Sequence, residues 1–163
     1  MEKMSHANPN RQVENGDVGA QIINQQIDDL ERAEAAFERG AIAEAMSLFN
    51  GATQTDEAAA HFGIARCLRT LGNPHEALGH LQRVQQINPD FPQLANDLGV
   101  VYFEMGMIDH ALRQMQAAAD AAPDDPLPLQ NMVDIALANE DIETCVRCCH
   151  DILRIVPDDP ESL

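Results

Sequence analysis

Cysteine is the residue type in this chain best able to do chemistry, and three of its four cysteines stand together in Cys145-Val-Arg-Cys148-Cys149-His150. A CxxC pair beside a histidine suits haem attachment, metal binding or thiol redox chemistry. Haem attachment needs a histidine directly after the second cysteine, and Cys149 stands there instead. A structural zinc site needs four converging ligands; one helix cannot aim all its side chains at a point, and the remaining cysteine, Cys67, is far upstream. The cluster therefore reads as packing, with Cys145 and Cys149 acting as buried apolar residues. Cys148 is expected to be the more exposed and the more reactive thiol. The three serines, Ser5, Ser47 and Ser162, lie in no nucleophile-elbow motif, and there is no glycine-rich phosphate loop. The six histidines are scattered, and acid pairs such as Asp28-Asp29 and Asp124-Asp125 read as solvated faces or turns. No catalytic constellation emerges, so the expectation is a non-enzyme with no cofactor and no metal.

Bulk composition narrows what remains. At 163 residues the chain is one domain with room for a sizeable core. It is 45% hydrophobic, yet has one Tyr, five Phe and no Trp, a profile that suits closely packed alanine-rich helices better than a sheet. Ten Lys plus Arg against 27 Asp plus Glu give a net charge of −17. That balance leaves no basic stripe to neutralise phosphates, which argues against nucleic acid and anionic membrane surfaces as partners. Met1–Ala20 lacks the apolar core of a signal peptide, and no stretch approaches the ~18 continuous apolar residues of a membrane span. The expected location is the cytoplasm, with no membrane insertion.

The elements that position these residues follow from a repeat. Gly40, Gly72 and Gly106 are spaced by 32 and then 34 residues, and a further 34 lands on Glu140, beside Asn139, in a polar break. A small position recurs after each break, at Ala45, Ala77, Ala111 and Cys145, and four residues later a larger apolar one, at Phe49, Leu81, Met115 and Cys149. Pro89, Pro123 and Pro157 close the units. Each unit thus predicts a helical hairpin: glycine ends the first helix by accepting the left-handed conformation, and proline stops the second. Small residues in the seam let the helices approach closely. The fourth unit places Val133, Ile142, Val146, Ile152 and Ile155 inward. A lone hairpin leaves an apolar face in water, so neighbours must stack.

Within Pro92–Asp125, the residues Leu98, Gly99, Tyr102, Ala111 and Pro123 match the signature Trp-x2-Leu-Gly-x2-Tyr, Ala-x3-Phe, Pro, with Ala95 at the Trp position and Met115 at the Phe position. The stretch resembles a tetratricopeptide repeat. The resemblance implies an all-α fold, a right-handed α-solenoid of about four hairpins, over residues 18–159. Its units run about 26–57, 58–91, 92–125 and 126–159, after a disordered leader over 1–17. Pro157-Asp158-Asp159-Pro160 repeats the link Pro123-Asp124-Asp125-Pro126. Residues 160–163 are therefore expected to start a truncated further unit, and the uncapped C-terminal end offers a contact for a partner or a second copy.

The family resemblance also implies where binding occurs, because first helices line a concave groove that holds a partner's peptide or helix. The matching positions are Leu30, Glu34 and Phe37 in unit one, and Phe62, Arg66 and Arg69 in unit two. Unit three supplies Gln93, Asn96, Val100, Phe103 and Glu104, and unit four Gln130, Asn131 and Asp134. Arg66 and Arg69 are expected to read a partner carboxylate, and Asn96 and Asn131 to bond its backbone. Phe37, Phe62 and Phe103 either anchor the ligand or pack between hairpins. Chaperone-tail binding is not implied: Leu30 and Glu34 stand where the family's clamp has Lys and Asn, and Gly63 where it has a further Asn. The functional expectation is a protein or peptide partner held by an adaptor or assembly scaffold. A secretion-type chaperone, and the recruiting arm of a larger enzyme such as a glycosyltransferase or methyltransferase, are the alternatives.

Overall fold

One backbone device, used four times, sets the spacing of everything else. In the computed structural model, which describes residues 29–156, Gly40, Gly72 and Gly106 adopt φ of 76°, 77° and 74°. Each is followed by an amide that reaches five residues back: Ala41 to Ala36, Asn73 to Leu68 and Met107 to Tyr102. The glycine amides bond three residues back, to Phe37, Arg69 and Phe103. This double bond set satisfies carbonyls left over at a helix C-terminus and turns the chain sharply. The fourth break does the same without glycine: Glu140 takes φ 59°, and Asp141 bonds back to Ala136.

Eight helices result among the described residues. α1 is described over 29–38, followed by α2 (Ile42–Ala52), α3 (Glu57–Thr70), α4 (Pro74–Ile87), α5 (Leu94–Glu104), α6 (Ile108–Ala121), α7 (Leu127–Ala138) and α8 (Ile142–Ile155). From α2 onward each helix packs on the next, and α5 also meets α7. The hairpins are α1–α2, α3–α4, α5–α6 and α7–α8, stacked as an all-α solenoid. Pro74 begins α4, where its missing donor is harmless, while the side chains of Asp56 and Asp141 cap α3 and α8 by accepting from Ala59 and Thr144 amides.

The seam lies where the small residues fall. Ala45, Ala77 and Ala111 are fully buried, as are Phe49, Leu81 and Met115 one turn on. Two glycines make this possible. A Cβ at Gly63 would strike the Phe49 ring, and one at Gly99 would lie 2.8 Å from the Met115 Cε. Phe49 belongs to the helix before Gly63, whereas Met115 belongs to the helix after Gly99, so this row is gripped by first helices on both sides. The core forms two clusters, one built from α1 to α5 and one from α6 to α8, with Tyr102 packing against both. Hairpin two is also tied by polar contacts. Arg83 donates through Nε and Nη2 to Glu57 Oε1 at 2.8 and 2.6 Å. His61 Nδ1 and His80 Nδ1 lie 2.8 Å apart, one donating and the other accepting. Burial, followed by the neighbouring His61, lowers the His80 pKa, against the pull of Glu76.

The last hairpin departs from expectation. Ile142 and Val146 face outward, 64% and 51% exposed. Cys145 and Cys149 are half-buried, whereas Cys148 is 1% exposed in the core with Met132, Ile135 and Ile152. Cys148, expected to be the reactive thiol, is therefore the inaccessible one of the cluster, and burial pushes its pKa up. The cause is coverage. Ile108, Leu112 and Met115 form one row on α6 that is covered at least in part within the second cluster; α7 packs against that helix. The equivalent row on α8 is Ile142, Val146 and Cys149, and no described helix follows it. Residues 1–28 and 157–163, including the expected leader and the expected start of a further unit, lie outside the described residues.

The glycine seam gives a paired test by urea denaturation. Gly79 in α4 has open space around its Cβ position, so Gly79→Ala should stabilise by about 0.5–1 kcal/mol through chain entropy. Gly63→Ala makes the same chemical change against the Phe49 ring and should instead destabilise by about 1–3 kcal/mol.

Candidate functional site

Residues spaced i, i+4, i+7 share a helix face, and the odd-numbered helices each present such a row. Glu34 and Phe37 on α1, Arg66 and Arg69 on α3, Asn96, Val100 and Phe103 on α5, and Asn131 and Asp134 on α7 fall on these rows. Side-chain bonds show that the rows lie side by side. Arg66 Nη1 donates to Glu34 Oε2 at 2.8 Å, and its guanidinium stacks 4.3 Å above the Phe37 ring. Arg69 donates through Nη1 to Asp97 Oδ1 at 3.0 Å and through Nε to Glu104 Oε1 at 3.2 Å. Asn131 Nδ2 donates to Asn96 Oδ1 at 2.8 Å. A ladder of polar contacts thus crosses the odd-helix face from hairpin one to hairpin four. Phe37, Arg66, Arg69, Thr70 and Glu104 surround a recess of about 390 Å³ on it.

Arg66 and Arg69, expected to read a partner carboxylate, are engaged within the chain. Arg66 holds one carboxylate of hairpin one and Arg69 two of hairpin three, so the guanidinium groups act as internal counter-ions. The asparagine pair likewise bonds to itself. Phe62 is 7% exposed and packs against Phe91, ring centroids 5.0 Å apart, which puts it between hairpins. Leu30 and Phe37 are half-buried against the first cluster, and Val100 and Phe103 against the second. Gln93, Gln130 and Asp134 are exposed.

Asp97 is the residue that sequence reasoning missed. It is 8% exposed, in a row of α5 otherwise made of Leu94, Leu98 and Val101. An acid within an apolar row needs a buried cation, and that was the available signal. Burial raises its pKa above the ordinary carboxylate range, and Arg69, with Arg66 beyond it, opposes the shift. Among the described residues no three His, Cys, Asp or Glu side chains are grouped to hold a metal ion, and no helix is long and apolar enough to cross a membrane.

The tetratricopeptide repeat profile matches this sequence twice, over residues 29–96 and 68–130. The chain belongs to the tetratricopeptide repeat family. Solved structures of similar fold include YrrB, described as a TPR protein with an unusual peptide-binding site, at 21% identity and a TM-score of 0.69, covering 80% of this chain and 68% of that one. MamA from Desulfovibrio magneticus RS-1, from residue 41 to its end, gives 16% and 0.72, covering 83% of this chain and 77% of that one. Cut9, in the APC/C assembly Cut9–Hcn1, gives 13% and 0.75, covering 84% and 28%. Identities this low establish a shared fold. Among curated proteins none matches the chain by sequence. All but the first turn of the fourth hairpin of this tetratricopeptide repeat chain lies beyond the matched residues, which agrees with its break being turned by Glu140 in place of glycine.

The Arg69–Asp97 pair yields a pH-dependent prediction. In Arg69→Ala the buried carboxylate loses its main counter-charge, so its folded-state pKa rises further above the unfolded value of about 3.9. Ionised Asp97 then destabilises the fold above that raised pKa, and proton uptake relieves the cost as pH falls through it. The variant should lose about 2 kcal/mol at neutral pH. In chemical denaturation across a pH series the deficit should shrink on acidification, and a constant deficit would mean that Asp97 is not its source.

Proposed function

We propose that this chain is a non-catalytic protein-interaction module, an adaptor or assembly scaffold, that holds a segment of a protein partner along the face built by α1, α3, α5 and α7. The observation that carries this reading is the continuity of that face: side chains from four successive hairpins meet across it through Glu34–Arg66, Arg69–Asp97 and Asn96–Asn131. The internal ion pairs give it a rigid floor, and rigidity lowers the entropy cost of capturing a flexible segment. Thr70, Glu104, Gln130 and Asp134 stand exposed along it as polar contacts for a bound chain. Membership of a repeat family supports the same reading, because stacked hairpins create extended surfaces of the kind used for protein partners. The peptide-binding site named for YrrB is a further parallel. The location we favour is the cytoplasm.

Site-specific photocrosslinking in the native cell tests the face directly. A photoreactive phenylalanine placed at Thr70 or Gln130 on the odd helices should give discrete adducts with a partner protein. The same group at exposed Gln82 or Gln116 on the even helices should give none. Adducts confined to Gln82 and Gln116 would move the site to the opposite surface.

A further inference from the structure

A second recess, of about 580 Å³, opens at the edge of the solenoid between the α4–α5 and α6–α7 connections. Its floor is the end of α6 and its C-cap, where Ala117, Ala118, Ala121 and Ala122 contribute only methyl groups. Internal periodicity shows what is missing. Ala118 and Ala121 stand 34 residues after Val84 and Ile87 and 34 before Ile152 and Ile155. Hairpins two and four therefore carry branched side chains where hairpin three carries alanine, which leaves only methyl groups on this side of the recess. Phe91 and Leu94 on one side, and Leu127 and Pro128 on the other, make its walls apolar.

Such a volume is within the range of about 300–1,000 Å³ typical of ligand pockets, which combine an apolar lining with a few placed polar groups. The polar groups here are acidic. Asp90 and Asp125 line the recess, and no Lys or Arg does; Asp125 also accepts the Leu127 amide at 3.0 Å, which fixes its carboxylate at the mouth. Elsewhere among the described residues Arg32, Arg39, Arg66, Arg69, Arg83 and Arg154 are paired to carboxylates, and the remaining two, Arg113 and Arg147, do not line the recess. An occupant must therefore bring an apolar group of its own and a positive charge beside it. Proline and phenylalanine walls over a floor of methyl groups suit a flat ring better than a branched chain.

We propose that this recess binds an aromatic side chain flanked by a lysine or arginine in a partner's segment, the ring on the alanine floor and the cation beside Asp90 and Asp125. Gln93 and Asn96 line the recess and also lie among the groove positions of α5, so a segment lying on the odd-helix face can turn one side chain into it. In that respect the proposal rests on the function proposed above, with the recess as its anchor pocket.

Methyl-detected NMR on the full chain, with tryptamine as probe, tests the pocket without needing the partner. Tryptamine should shift the methyl signals of Ala117, Ala118, Ala121 and Leu127. Indole-3-propionate, with a similar ring system and the opposite charge, should bind roughly fivefold more weakly at low salt, given two surface carboxylates. Ala118→Val combined with Ala121→Ile restores the side chains of the neighbouring hairpins; it should melt no lower than the parent and lose the tryptamine shifts. Ala121→Ile alone, at an exposed position, serves if the double variant misfolds, and should weaken binding. Absence of tryptamine shifts, their persistence in the filled variants, or equal binding of both probes would overturn the proposal. Crosslinks from Gln130 with an empty recess would leave the face as the site and remove the anchor, whereas a filled recess without such crosslinks would do the reverse.

Discussion

Close approach of helix backbones at a few side-chain-poor positions is the constraint on which this molecule depends. Phe49 is buried because Gly63 has no Cβ beneath its ring, and Met115 because Gly99 has none beneath its thioether. Ala45, Ala77 and Ala111, all fully buried, continue the same line through the stack. Dispersion between atoms falls off steeply with separation, so a seam held open by even one methyl group would lose much of its contact energy. A hairpin also cannot satisfy its own apolar face, which makes every hairpin's stability partly its neighbour's property. The inversion in α8 follows from this dependence: with α7 on one side and no described helix on the other, the row that is covered in α6 is left open at Ile142 and Val146.

On the odd-helix face the same side-by-side packing has an electrostatic consequence. Helices held by a tight seam bring Glu34 to Arg66 and Asp97 to Arg69 across hairpin boundaries, so charges from three hairpins neutralise one another. A carboxylate buried as far as Asp97 is costly alone and acceptable with a guanidinium at 3.0 Å. The arginines thereby become part of the floor. The face presents acids, amides and half-buried rings, on a chain of net charge −17; under the function proposed above, electrostatic complementarity would favour cationic segments.

Much of this architecture was legible beforehand because it is local. Glycine at Gly40, Gly72 and Gly106 announces a left-handed turn, Pro74 a helix start, and the recurrence of Ala45, Ala77 and Ala111 a common seam, since each signal depends on backbone chemistry within a few residues. Helix α4 begins at Pro74, as the fixed φ of proline at a first helical turn leads one to expect. Even the fourth break, where no glycine stands, was placed by period alone at Glu140. The candidate site was less legible. Which residues share the odd-helix face could be counted from helical spacing, but whether Arg66 and Arg69 are free or engaged depends on acids about one unit away in sequence, and Asp97 was missed because it hides in an apolar row.

The order of helices, their turns and the seam rows of the first three hairpins were thus settled by the sequence, through backbone propensities and periodic burial that act over single helical turns. Only the tertiary structure decided which cysteine of the cluster is hidden, which charges cancel and where alanine leaves a recess. Those outcomes depend on distances between side chains of different hairpins, and such distances are set by how the hairpins stack.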